Sequence, residues 1–249
     1  MEKSDQKPPI LLVHGFRGNH LGLAEFQKLL EAKGYQVFSP DIPPAFNTQA
    51  ETLPIFTNFT KDGYADFIAN YILDNHLDRP VLIGHSMGSI LVAATAEKYS
   101  HLIHDKIFFL SPIATHPPKF ILPLIPLMAL VPNKFVDYVC TEFLIASAHR
   151  PKKRQILDIT YECSRKITSV KDEIRAAFFS MSHSISDFNF KKQAYFIAGN
   201  KDRMNSSRKV REIAKNFHAE VSFISGAGHL INYETPKKIA ELVLPKLQS

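Results

Sequence analysis

The residues best suited to chemistry in this chain form the run Gly84-His85-Ser86-Met87-Gly88, with the apolar stretch Val81–Ile83 before it and a helix-forming stretch after it. G-x-S-x-G in a strand–turn–helix setting projects the central hydroxyl from the strand tip. The glycines are expected because a side chain at Gly84 or Gly88 would strike the neighbouring strand or helix. A serine hydroxyl is a poor nucleophile until a base takes its proton. Of the eleven histidines, His229 is the one that follows both an apolar run, Val221–Ile224, and a loop containing Gly226-Ala227-Gly228. Such a loop can return an imidazole over the edge of a sheet. His85 adjoins the serine and should point away from its hydroxyl. His14 ends the first apolar run, and His101 and His104 read as surface or helix-terminal side chains.

An imidazole acting as base needs a carboxylate to fix its tautomer and stabilise its charged form. Asp202 closes Gly199-Asn200-Lys201 after the apolar run Tyr195–Ala198, so it too falls at a strand end. It could also cap a helix beginning near Asn205. Asp187 and Asp105 are rivals that follow no strand end. The chain order is then Ser86, Asp202, His229. Negative charge developing on a carbonyl substrate needs N–H donors, and the expected pair is the backbone of Met87 and of Phe16, within His14-Gly15-Phe16-Arg17-Gly18.

The elements that must position these residues alternate along the chain. Short apolar runs at Ile10–Val13, Gln36–Ser39, Val81–Gly84, Ile107–Leu110, Tyr195–Ala198 and Val221–Ile224 predict strands buried on both faces of a sheet. Between them, Leu21–Lys33, Gly63–His76, Met87–Tyr99, Ser206–Phe217 and Thr235–Leu247 are amphipathic and predict helices. Strands joined through helices make a doubly wound, mostly parallel six-stranded α/β sheet. Residues 112–186 break the rhythm. They hold no β-like run and are predicted to be an inserted helical unit, leaving 1–111 and 187–249 as the core. The insertion falls over the carboxyl edge of the strands, where open α/β sheets hold ligands. Its first part, Pro117 to Phe143, is strongly apolar, and its second carries Lys152, Lys153, Arg154, Arg165, Lys166 and Arg175.

Composition excludes several classes. With 45% hydrophobic residues in 249, the chain is neither disordered nor fibrous. The net charge of +6 invites a nucleic-acid reading, but the cations fall in scattered pairs such as Lys191-Lys192 and Lys237-Lys238, with acids nearby and no recognition motif. No nucleic-acid partner is expected. Cys140 and Cys163 read as two reduced, buried thiols, too few for a disulfide framework. The polar stretch Met1–Gln6 does not read as a secretion leader. The longest apolar run, Phe120–Val131, holds Pro123 and Pro126 and falls short of the roughly 20 residues a membrane span needs. The expected compartment is the cytoplasm. No phosphate-binding glycine pattern and no metal-ligand spacing occurs, so no cofactor and no metal is expected.

Taken together, Leu11-Leu12-Val13-His14-Gly15-Phe16, Gly84-His85-Ser86-Met87-Gly88, Gly199-Asn200-Lys201-Asp202 and Gly226-Ala227-Gly228-His229 resemble the motifs of the α/β-hydrolase superfamily, in order, from Ile10 to the end of the chain. The resemblance implies a Ser-His-Asp hydrolase with a helical cap between the last strands but two and but one. It also implies that the usual first two strands are missing here. Asp41-Ile42-Pro43-Pro44 departs from the glycine-containing turn of many relatives, which bears on one wall of the pocket. The expected reaction is cleavage of carboxylic esters, with short to medium acyl, aromatic or monoacylglycerol-like substrates suggested by an apolar cap wall from Phe120 to Leu130, backed by Phe135, Tyr138 and Phe143. The same triad would serve a thioesterase, an amidase or a carbon–carbon bond hydrolase. A non-catalytic ligand-binding homologue and a cap that touches lipid surfaces are further readings.

Overall fold

The computed structural model describes residues 7–45, 56, 58–116, 119–164 and 169–248. Met1–Gln6, Pro117, Arg165 and Lys166, used above, lie outside the described residues. Six strands form one sheet: β1 (Ile10–Val13), β2 (Val37–Phe38), β3 (Val81–His85), β4 (Lys106–Leu110), β5 (Gln193–Gly199) and β6 (Glu220–Ile224). Their order is β2-β1-β3-β4-β5-β6, and every neighbouring pair is parallel.

Alternation along each strand divides the core between the two faces of the sheet. Leu11 and Val13 of β1, Leu82 of β3, Ile107 and Phe109 of β4 and Phe196 of β5 share one apolar cluster. Ile10, Leu12, Ile83, Phe108, Leu110, Tyr195 and Ile197 belong to the other. Helices α1 (Ala24–Glu31), α2 (Lys61–Asp74) and α3 (Met87–Lys98) follow the first three strands and cover both faces. Phe26 and Leu30 of α1 join one cluster, and α2 and α3 join the other. The sequence reads α3 as amphipathic, yet it is buried from Met87 through Ala96, because α2 covers the side turned away from the sheet. The edge position of β6 explains why Val221, Ser222 and Phe223 are only half-buried.

Between β4 and β5 the chain forms a 3-10 stretch over Lys119–Leu130 and helices α4 (Asn133–Leu144), α5 (Lys153–Ser164) and α6 (Val170–Ser182). Helices α7 (Ser207–Asn216), α8 (Ile231–Glu234) and α9 (Pro236–Gln248) complete the chain. Cys163 is buried as expected, but Cys140 is exposed. It lies on α4, whose Phe135, Tyr138, Val139 and Phe143 also face outward. Among the described residues no helix is long and apolar enough to cross a membrane.

Strand order places a switch point between β1 and β3: the chain leaves β1 toward β2 on one side and resumes with β3 on the other. A crevice at the carboxyl ends of the strands is the consequence. The loop after β1 and the turn after β3 open into it.

Candidate active site

Ser86 sits between β3 and α3 with φ 54° and ψ −119°, a backbone conformation that costs a non-glycine residue on the order of 1–3 kcal/mol. The surrounding chain enforces it. The Ser86 N–H donates to Leu110 O at 3.0 Å. A Cβ on Gly84 would overlap the Gly88 carbonyl, and one on Gly88 would overlap the Val13 carbonyl, so α3 packs directly on the end of β1. Gly15 is also close, though less so: its added Cβ would lie 3.0 Å from the Ser86 Cβ.

His229 and Asp202 converge on this serine. The His229 ring faces Ser86 Oγ from Nε2 at 2.9 Å and Asp202 Oδ2 from Nδ1 at 2.8 Å. With the proton on Nδ1 donated to the carboxylate, Nε2 is free to accept the serine hydroxyl proton. His229 and Asp202 are buried, and Ser86 is half-buried. The second Asp202 oxygen, Oδ1, accepts from Met204 N at 2.7 Å and Asn205 N at 3.1 Å. The carboxylate therefore also orders the turn before α7, whose own cap is Ser206.

Among the described residues, neither the Phe16 nor the Met87 N–H has a hydrogen-bond acceptor. Met87 is the first residue of α3, where the helix dipole adds partial positive charge. The loop carrying Phe16 is fixed by Gly18 N donating to Gly15 O at 3.0 Å and His14 Nδ1 donating to the same oxygen at 2.9 Å. His14 Nε2 accepts from Ile42 N at 2.7 Å. Both ring nitrogens are committed, and burial lowers the His14 pKa, so this histidine is neutral and structural.

The remaining candidates fall elsewhere. Asp187 meets His116 and Asp105 meets Arg79 and Lys192. Three side chains have supporting roles that the sequence does not reveal, although it places His85 beside the serine. His85 donates from Nε2 to His229 O at 3.1 Å, and burial, followed by the charge of His229, lowers its pKa to about 3. Glu234 Oε2 accepts from Gly228 N at 2.9 Å and Ala146 N at 3.2 Å. Burial raises its pKa, and those N–H groups oppose the rise. The third is Arg17, beside Phe16, and its only sequence signal is its place in the loop.

A cavity of about 970 Å³ lies away from the triad, lined by Pro43, Phe59, Phe67, Asp172 and Phe179 among others, and by none of Ser86, Asp202 and His229. Of the expected apolar wall, Ile125 is buried, whereas Phe120, Leu124 and Leu127 are exposed. Among the described residues no group of three or more His, Cys, Asp or Glu side chains is placed to hold a metal ion.

A parallel sheet with a strained serine at its switch point, hydrogen-bonded to histidine and through it to aspartate, defines the α/β-hydrolase class. The sequence matches the alpha/beta hydrolase fold family over residues 8–143, and the chain belongs to that family. It is 22% identical over 240 residues to a Mycoplasma pneumoniae protein named "Putative esterase/lipase 2", covering 91% of this chain and 84% of that protein. Among solved structures, an esterase from Exiguobacterium antarcticum matches with a TM-score of 0.83 at 16% identity, covering 98% of this chain and 93% of that one. The enol-lactonase of Burkholderia xenovorans LB400 matches with 0.79 at 15% identity, over 100% and 94%. Likenesses at these identities carry the fold; the reaction must be argued from the site.

Proposed function

We propose that this protein is a serine hydrolase that cleaves carboxylic esters through an acyl-enzyme. The observation that carries the proposal is the continuous hydrogen-bonded line from Ser86 Oγ through His229 to Asp202, at 2.9 and 2.8 Å. Ser86 Oγ attacks the ester carbonyl while its proton passes to His229 Nε2. Asp202 holds the resulting imidazolium. The oxyanion takes hydrogen bonds from the N–H groups of Phe16 and Met87, each worth about 3 kcal/mol in the transition state. Collapse expels the alcohol, which leaves with the proton from His229. Water then gives a proton to His229, attacks the acyl-serine, and releases the acid and the free Ser86 hydroxyl. The relatives named esterase support the choice of ester.

On this reading residues 112–186 form a helical cap on a core of 1–111 and 187–249, and the substrates are short to medium acyl, aromatic or monoacylglycerol-like esters. The outward apolar side chains Phe120, Leu124, Leu127, Phe135, Tyr138 and Phe143 favour contact between the cap and lipid surfaces. Flotation with phosphatidylglycerol vesicles tests that contact; recovery only in the lipid-free fraction would reject it.

The reaction itself is tested with p-nitrophenyl esters of increasing chain length, acyl-CoA thioesters, and a fluorophosphonate probe. Ester turnover with labelling at Ser86 is the expected result. Absence of turnover and of labelling would overturn the proposal, and turnover of thioesters alone would reassign the substrate.

A further inference from the structure

We propose that Arg17 is a positioning residue for the oxyanion-binding N–H of Phe16, gripped by carboxylates of two helices that lie between β4 and β5. The inference rests on the reading of Phe16 given above. Arg17 directly follows Phe16 and has φ 57°, a left-handed conformation uncommon for a residue with a side chain. Its side chain is only 9% exposed. Nε donates to Asp137 Oδ1 at 3.1 Å and Nη2 to Asn133 Oδ1 at 3.3 Å, both on α4. Nη1 pairs with Glu173 Oε1 on α6. The other Asp137 oxygen accepts from Ser164 Oγ at 2.6 Å, at the end of α5. Helices α4 and α6 thus meet at one guanidinium carried by the loop after β1, and α5 joins them through Asp137.

The chemistry of this cluster argues against an incidental surface pair. Two carboxylates face one cation in a largely water-free place, and burial raises the Glu173 pKa, with Arg17 opposing the rise. Sites of that kind lose more when one partner is removed than they gain in net stability from being present. What the arrangement supplies is geometry: a planar fork with fixed donors sets the orientation of its own backbone. The Phe16 N–H shares its peptide plane with Gly15 O, already held by Gly18 N and His14 Nδ1; the helices holding Arg17 restrain the same loop from its other side. An N–H that meets charge only in the transition state affects kcat and leaves substrate binding almost alone.

The test uses the full chain with p-nitrophenyl butyrate and rates normalised to the Ser86 fraction titrated by fluorophosphonate. Arg17→Met should lower kcat at least 10-fold with KM within twofold, and Arg17→Lys should recover part of the loss. Asp137→Asn keeps the shape and an acceptor oxygen while removing charge, and carries the test if Arg17→Met does not fold; its kcat should fall 3- to 10-fold. An unchanged kcat per titrated site in folded Asp137→Asn, or a raised KM at constant kcat, would overturn the inference while leaving the hydrolase reading standing. A wild-type chain that neither turns over nor labels would overturn both.

Discussion

The ring of His85 donates from Nε2 to the backbone oxygen of His229 at 3.1 Å, so the residue before the serine holds the loop that carries His229. The residue on the other side of the elbow, Met87, opens α3, and its N–H has no acceptor among the described residues. One tight turn thereby sets the Ser86 hydroxyl, the Met87 N–H and the support of the His229 loop.

Stability should fall in acid because the ring of His85 is buried beside His229, which lowers its pKa; the hydrogen bond to the His229 carbonyl opposes that shift. His85 has a pKa of about 3 in the fold, against an ordinary value of 6.5. Its neutral form is favoured in the native state, so its contribution is complete above pH 6.5 and is lost as pH falls from 6.5 toward 3. Within that window the unfolded chain binds one more proton, at a cost of about 1.4 kcal/mol per pH unit. His14, also lowered by burial, acts in the same direction. Glu173 and Glu234, raised by burial, act in the opposite direction as they take up protons. Urea unfolding between pH 7 and 5 should give a flatter profile for His85→Gln than for wild type. Equal slopes would refute the assignment.

Replacing Ser86 by Ala should reduce ester turnover on the order of 10^4- to 10^6-fold with the thermal midpoint hardly changed. Retained turnover in that variant would remove the serine from the mechanism.

Asp202→Asn and Asp202→Ala should separate the two duties of this side chain. Asparagine can keep an oxygen for Met204 N and Asn205 N, so its loss falls on turnover, by about 10^4-fold, through the wrong histidine tautomer. Alanine removes both and should also cost about 1–3 kcal/mol of stability from N–H groups left unpaired. Equal stability of the two variants, read from denaturant midpoints, would contradict the dual role.

Gly88→Ala should destabilise the fold by about 1–3 kcal/mol, because the new methyl meets the Val13 carbonyl and α3 must lift from β1. A melting temperature equal to wild type would show that the contact relaxes freely.

Much of the fold was legible in the sequence because its determinants are local. Four-residue runs such as Ile10–Val13 and Ile107–Leu110 are apolar at every position, which fits a strand covered on both faces, and the six runs became the six strands. The four-motif order also pointed to the serine, aspartate and histidine that the structure brings within hydrogen-bond distance. The supports were hidden for the opposite reason. Arg17 meets partners 120 and 156 residues away, and His85 one 144 residues away. Single-sequence periodicity carries no information about such pairings. The apolar pattern of α4 misled for a related reason. Phe135, Tyr138 and Phe143 read as backing for an apolar pocket wall, yet they are exposed, and Val136, Asp137 and Thr141 are the residues of α4 that face inward.

The two ends of α4 have a consequence for protein engineering. Near its start Asp137 takes the Arg17 guanidinium; at its end Leu144 O accepts the His229 N–H at 2.8 Å. Residues 112–186 are therefore not an interchangeable module. A chimera that grafts a different helical segment between β4 and β5 would remove the Asp137 and Glu173 partners of Arg17 and the Leu144 acceptor of the His229 amide. Successful exchange would need the recipient's loops after β1 and β6 to travel with the transplanted helices, because each of those loops is bonded to α4.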